Sequence, residues 1–236
     1  MSELIRPSTV LPANRQKITI HTEDGLNLIG EVATPLKPAV ASLLCLHPLP
    51  THGGMMDSHI FKKAANRLPA LADIAVLRFN TRGTASEAGK SDGEFGNGES
   101  EKYDVAAAIA YAFDILKLDN LWVIGWSFGT ELALAYAKDP RIKGLILLSP
   151  PLRRTTESEL SYWNVDGRPI IALVPEFDEF LKPIEAKLKF SVISQAKVLG
   201  IDGAKHLWVG EPFVYIALTE ILKIINPAAL PLPLEI

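Results

Sequence analysis

Two kinds of hydrophobic pattern alternate along the chain. Residues 17–22 switch between polar and apolar position by position, and residues 25–34 do so again after the turn pair Asp24-Gly25. Period-two alternation on both sides of a turn predicts an antiparallel hairpin, and its polar face suits a sheet edge. Residues 40–46, 74–79, 121–124, 145–148, 170–174 and 197–199 are instead short apolar runs. Such runs predict strands covered on both faces, as in a parallel sheet. Between them, residues 55–71, 99–118, 128–138, 180–190 and 212–225 carry apolar side chains three to four apart, the spacing of an amphipathic helix. Pro212 suits a first helical turn, and Asn226-Pro227 stops the last helix. The alternation predicts an α/β fold: a mainly parallel sheet of about eight strands with helices on both faces.

Residues 1–16 read as an N-terminal extension, 17–226 as one α/β domain, and 227–236 as a proline-rich tail expected to lie extended on the surface. A chain of 236 residues with 48% hydrophobic content can bury one large core. The net charge of −3 gives no electrostatic footprint for a phosphate backbone or an anionic bilayer, so neither nucleic acid nor membrane is an expected partner. The first sixteen residues hold Glu3, Arg6, Pro7 and Pro12 without a continuous apolar stretch, unlike a secretory signal or an anchor. The apolar runs are strand-sized, and a cytoplasmic location is expected. Cys45, the single cysteine, lies inside an apolar run and reads as a buried structural thiol.

Candidate chemistry starts at Gly125-Trp126-Ser127-Phe128-Gly129, which follows the run 121–124 and opens the helical segment after it. A serine on a sharp strand-to-helix turn needs small neighbours two residues to either side, and Gly125 and Gly129 supply them. A serine hydroxyl is a weak nucleophile until a base takes its proton. Of the five histidines only His206 follows Ser127, in the loop after the last expected strand. The loop after run 170–174, Pro175-Glu176-Phe177-Asp178-Glu179, offers a carboxylate to orient it. Asp178 is the choice there, with Glu176 and Glu179 as competitors; Asp202 shares the loop of His206 and would have to fold back. Acyl transfer also needs two backbone donors for the oxyanion. Phe128 supplies one. In the loop from His47 to Gly54, Pro48 and Pro50 have no amide hydrogen, which leaves Leu49 as the other. Trp126 and Trp208 flank nucleophile and base in sequence and either line an acyl pocket as substrate-binding residues or pack against helices. His47 reads as a support for the Leu49 loop, and Arg82 as an anchor paired with Glu99 or Asp104. His52 and His59 lack a nearby third ligand, so no metal is expected.

The order Ser127, Asp178, His206, with His47-Pro48 after the third strand, resembles the α/β-hydrolase family. Within it, the chain is most similar to small cap-less bacterial hydrolases related to dienelactone hydrolase and to short-chain serine esterases. Members carry a His-Pro-rich oxyanion loop ending in Gly-Gly, matched by residues 47–54, and an Arg-Gly segment after the fourth strand, matched by Arg82-Gly83. A Ser/Gly/Asp-rich continuation follows in residues 91–99, with Asp104 in the next helix. Residues 84–90 are longer than the compact form of this loop, and the nucleophile is serine where dienelactone hydrolases use cysteine. The resemblance covers roughly residues 17–225 and implies no cofactor and no metal.

Taken together, these readings predict a serine hydrolase of small esters or thioesters that forms an acyl-enzyme. Only about twenty residues, 149–169, separate two strands where larger relatives insert a cap, so the site is expected to be open. An acyltransferase or peptidase using the same triad is the alternative, as is a non-catalytic ligand- or protein-binding member of the same fold. Substrate identity and oligomeric state are not legible in the chain.

Overall fold

The computed structural model describes residues 3–236. The hairpin forms from β1 (Asn14–His21) and β2 (Asn27–Thr34). The strands β3 (Ala41–Leu46) and β4 (Ile74–Phe79) follow, separated by α1 (His59–Ala72). Residues 84–90 fold into a minimal hairpin, β5 (Ala85–Ser86) and β6 (Gly89–Lys90), apart from the main sheet. Helix α2 (Glu101–Ala110) runs into a wider turn at Tyr111–Ile115 and leads to β7 (Leu121–Trp126) and α3 (Phe128–Tyr136). The chain closes with β8 (Leu145–Leu148), α4 (Glu157–Asp166), β9 (Ile170–Pro175), α5 (Pro183–Phe190), β10 (Lys197–Ile201) and α6 (Glu211–Ile225).

Eight strands form one sheet in the order β1-β2-β4-β3-β7-β8-β9-β10. β2 pairs antiparallel with β1 and β4, and every other pairing is parallel. Strand alternation divides the core in two. Leu44, Leu46 and Val123 face the layer of α2 to α5, whereas Leu43, Cys45, Ile124 and Trp126 face α1 and α6. Burial pushes the Cys45 thiol up to about 12, so it stays protonated and inert.

The structure departs from the sequence expectation at the start of α1 and in the tail. Helix α1 begins at His59, because residues 55–58 are held as a loop: the Met56 amide donates to Asn80 Oδ1 and Arg78 Nη1 donates to the Met56 carbonyl. The same helix tolerates Pro69 because Arg15 Nη1 donates to the Ala65 carbonyl, the acceptor that a proline cannot serve. Residues 227–236, expected to lie extended on the surface, instead make a short turn at Pro227–Ala229 and bury Leu232. Beyond it the Leu234 carbonyl accepts from the Ile5 amide at 2.8 Å.

The crossover order brings function to the sheet centre. β3 and β7 lie side by side with Leu46 opposite Gly125, so the loop after β3 meets the turn after β7 at their carboxyl ends. The reversal of strand order at this point opens a crevice that a α/β sheet offers to ligands.

Candidate active site

Ser127 occupies the turn between β7 and α3 with φ 51° and ψ −118°, a region that non-glycine residues rarely adopt. The turn is tight enough to demand its glycines. A Cβ on Gly129 would stand 1.9 Å from the Leu46 carbonyl oxygen, and one on Gly125 2.4 Å from that of Gly129. With both absent, α3 starts against the end of β3 and Ser127 stays partly exposed above a fully buried strand.

The structure brings Ser127, His206 and Asp178 together. Ser127 Oγ lies 2.8 Å from His206 Nε2, and His206 Nδ1 lies 2.8 Å from Asp178 Oδ2. Since the carboxylate accepts from Nδ1–H, Nε2 is left to accept the serine proton. Asp178 is buried, and its other oxygen, Oδ1, accepts the Phe180 and Leu181 amides at 2.8 and 3.4 Å. These bonds fix the carboxyl so that Oδ2 faces the ring. Glu176 is turned away onto the Gly203 amide, and Glu179 and Asp202 are exposed. The ring of Phe180 packs edge-on against His206 with centroids 4.4 Å apart.

The loop after β3 folds back on itself. The Gly54 amide donates to the Leu49 carbonyl, and Gly54 approaches Pro48 so closely that a Cβ would sit 2.0 Å from its carbonyl oxygen. Among the described residues, the Leu49 and Phe128 amides have no acceptor in the protein, while the Ser127 amide donates to Leu148. His47 is fully enclosed beneath the loop. Its Nδ1 donates to the Pro48 carbonyl at 2.7 Å, and its Nε2 accepts the Thr81 amide at 3.0 Å. Burial lowers its pKa to about 4, keeping the ring neutral as this pair of bonds requires.

Thr81 is itself held by its neighbour. Arg82 grips Asp104 through its amide, Nε and Nη2, at 2.8, 3.0 and 2.7 Å, and reaches Asp24 through Nη1 at 2.8 Å. Asp104 is therefore the anchor and Glu99 is not. Burial raises the pKa of Asp104 against these bonds, whereas its bonds to Arg82 lower that of the more exposed Asp24. Glu101, a residue the sequence reading passed over, accepts the Gly96 and Gly98 amides and shapes the approach to α2.

Trp126 and Trp208 do not face a substrate. They are 2% and 0% exposed and belong to the core layer under α1 and α6. Trp126 has the same strand parity as Trp122 and Ile124, which directs its indole away from the site. Both support His206 from behind: Trp126 Nε1 donates to the His206 carbonyl, and Trp208 Nε1 to Ser149 Oγ, which donates to the same carbonyl. His59 adds a bond from Nε2 to the Trp208 carbonyl. Ser149 could have been suspected only from its place at the end of β8.

Residues 42–207 match the family model described as the alpha/beta hydrolase fold. The chain belongs to the α/β-hydrolase family. Among solved structures, this α/β-hydrolase is similar to an alpha-beta serine hydrolase homologue from Coxiella burnetii, at 25% identity over 91% of this chain and 98% of the other, with a TM-score of 0.73. It is similar in fold to a serine hydrolase without lid from Xanthomonas campestris, at 24% identity, 85% and 89% coverage and TM-score 0.68. An esterase from Pyrococcus furiosus is likewise similar in fold, at 19% identity, 94% and 98% coverage and TM-score 0.72. A comparison with curated protein sequences gave no match. Among the described residues no cap domain stands over the site: between β8 and β9 the hydrolase has only α4, whose sole buried side chain is Trp163. Among the described residues no helix is long and apolar enough to cross a membrane.

Proposed function

We propose that this α/β-hydrolase cleaves carboxylic esters or thioesters of small substrates through an acyl-enzyme. The observation that carries the proposal is the unbroken chain of 2.8 Å contacts from Ser127 Oγ through the His206 ring to Asp178, with the serine on a strained turn. In this reading Ser127 Oγ attacks the carbonyl carbon while its proton passes to His206 Nε2. Asp178 holds the ring in the required tautomer and stabilises the imidazolium. The developing oxyanion takes hydrogen bonds from the amides of Phe128 and Leu49, two donors left without a protein acceptor. Collapse of the tetrahedral intermediate expels the alcohol or thiol, which takes the proton from His206. Water, deprotonated by the same nitrogen, then releases the acid and restores Ser127.

The absence of a cap supports small or chain-end substrates in an open site. The experiment is turnover of a series of p-nitrophenyl esters of increasing acyl length by the wild type and Ser127→Ala. Hydrolysis that needs Ser127 and is fastest for short acyl groups is expected; equal turnover by a folded Ser127→Ala protein contradicts the mechanism. Added alcohols or amines in the same assay distinguish acyl transfer from hydrolysis by their products.

A further inference from the structure

On the side of the sheet away from α2 to α5, a cavity of about 430 Å³ lies between α1, α6 and the segment 232–234. Its walls are almost wholly apolar, formed by Ile5, Leu71, Ile216, Leu218, Leu232 and Leu234. Segments 3–5 and 234–236, which give Ile5 and Leu234 to its wall, pair as a strap: the Ile5 amide donates to Leu234, and Glu3 and Ile236 exchange amide bonds at 2.8 and 2.9 Å. The Tyr215 hydroxyl at its edge is already spent on the Leu232 carbonyl. Polar capacity remains in one place, the Arg67–Glu211 end.

Arg67 is 5% exposed, and its guanidinium is only half used. Nη2 donates to the Arg6 carbonyl at 3.0 Å and to Glu211 Oε2 at 2.9 Å, while the buried Nε has no hydrogen-bond partner among the described residues. Glu211 Oε1 is taken by Lys63. Two cations thus share one carboxylate at the end of an apolar chamber. A buried guanidinium is costly until its donors are matched, and its planar fork fits a carboxylate.

We propose that this cavity is a binding site for an apolar monocarboxylate, a medium-chain fatty acid, separate from the Ser127 site. The carboxylate meets the Arg67 guanidinium, and the hydrocarbon chain lies between α1 and α6 against Ile5 and Leu234. A volume of this size falls within the range of small-molecule pockets. None of the wall residues belongs to the Ser127 constellation, although Glu211 follows His206 by one short loop.

Titration of methyl-labelled protein with decanoate, followed by NMR, tests this directly. Saturable shifts are expected at the methyls of Ile5, Leu71 and Ile216, with decanol, which lacks the charge, binding roughly ten- to a hundredfold more weakly. Arg67→Met is expected to bring decanoate down to the affinity of decanol. Because Arg67 also supports the fold, Ile216→Trp, which fills the chamber from a partly exposed position, is the second variant and is expected to abolish the shifts. Absence of binding, shifts confined to the surroundings of Ser127, equal affinity for decanol, or unchanged binding by Ile216→Trp overturns the proposal.

Discussion

Replacing His47 by glutamine removes a titrating ring from beneath the Leu49 loop while keeping an acceptor for the Thr81 amide. In the folded protein the pKa of His47 is about 4, against an ordinary value of 6.5. The unfolded chain therefore binds a proton in that interval when the folded one does not, so acid favours unfolding. The contribution of the neutral ring is complete above pH 6.5 and is lost as pH falls towards 4. At about 1.4 kcal/mol per pH unit this amounts to ~3 kcal/mol over the whole interval, of which about 2 kcal/mol is gone at pH 5. The structural cause is specific: a protonated Nε2 would point a hydrogen at the Thr81 N–H, and both donors cannot share that contact. Urea denaturation of wild type and His47→Gln at pH 7 and pH 5 gives the difference, in which the other titrating groups cancel. The wild type is expected to lose about 2 kcal/mol more than the variant. Parallel losses would refute the assignment of a neutral, buried His47.

Three further outcomes are expected. Gly129→Ala places a methyl group 1.9 Å from the Leu46 carbonyl and is expected to cost about 3 kcal/mol or more, read from thermal melts, because backbone rather than a flexible side chain must move; a melt within a degree of wild type would show that the turn is not so tight. Ser127→Gly relieves the positive φ that Ser127→Ala retains, so the glycine variant is expected to be the more stable of the two by roughly 1–3 kcal/mol, and equal stability would remove strain from the account. Asp178→Asn is expected to lower kcat by roughly ten-thousandfold through the wrong imidazole tautomer, whereas Glu176→Gln, whose carboxylate only caps Gly203, leaves kcat within a few-fold of wild type. The reverse ranking would move the acid to Glu176.

Much of the fold was legible because its signals are local. The apolar runs of β3, β4, β7, β8 and β9 are buried at every position, and unbroken hydrophobicity reports this without tertiary information. Helix α4 was missed because it buries only Trp163 and so shows no apolar stripe. Its signal was of another kind, a capping box in which Thr156 accepts the Glu159 amide and Glu159 accepts that of Thr156. The start of α1 was misplaced because the bonds that hold residues 55–58 come from Arg78 and Asn80, on a distant strand.

The meeting of Ser127, His206 and Asp178 was legible from their order and from the strands they follow. The roles of Trp126 and Trp208 were not. Strand parity could have turned Trp126 toward α1, since it follows Trp122 and Ile124 on one face. Trp208 gives no such sign, because its placement depends on a loop held by Ser149 and His59 from two other elements. The support of the Leu49 loop by His47 follows from one residue of separation, but the relay behind it, through Thr81 to Arg82 and Asp104, joins three segments that only the folded sheet edge assembles.

The central claim is that Ser127 is an activated nucleophile. Intact-protein mass spectrometry after treatment with a fluorophosphonate, with peptide mapping of the adduct, tests it most directly. One adduct on Ser127 in the wild type, and none in folded Ser127→Ala, is the predicted result. A folded wild type that remains unmodified, or that carries its adduct elsewhere, would contradict the account.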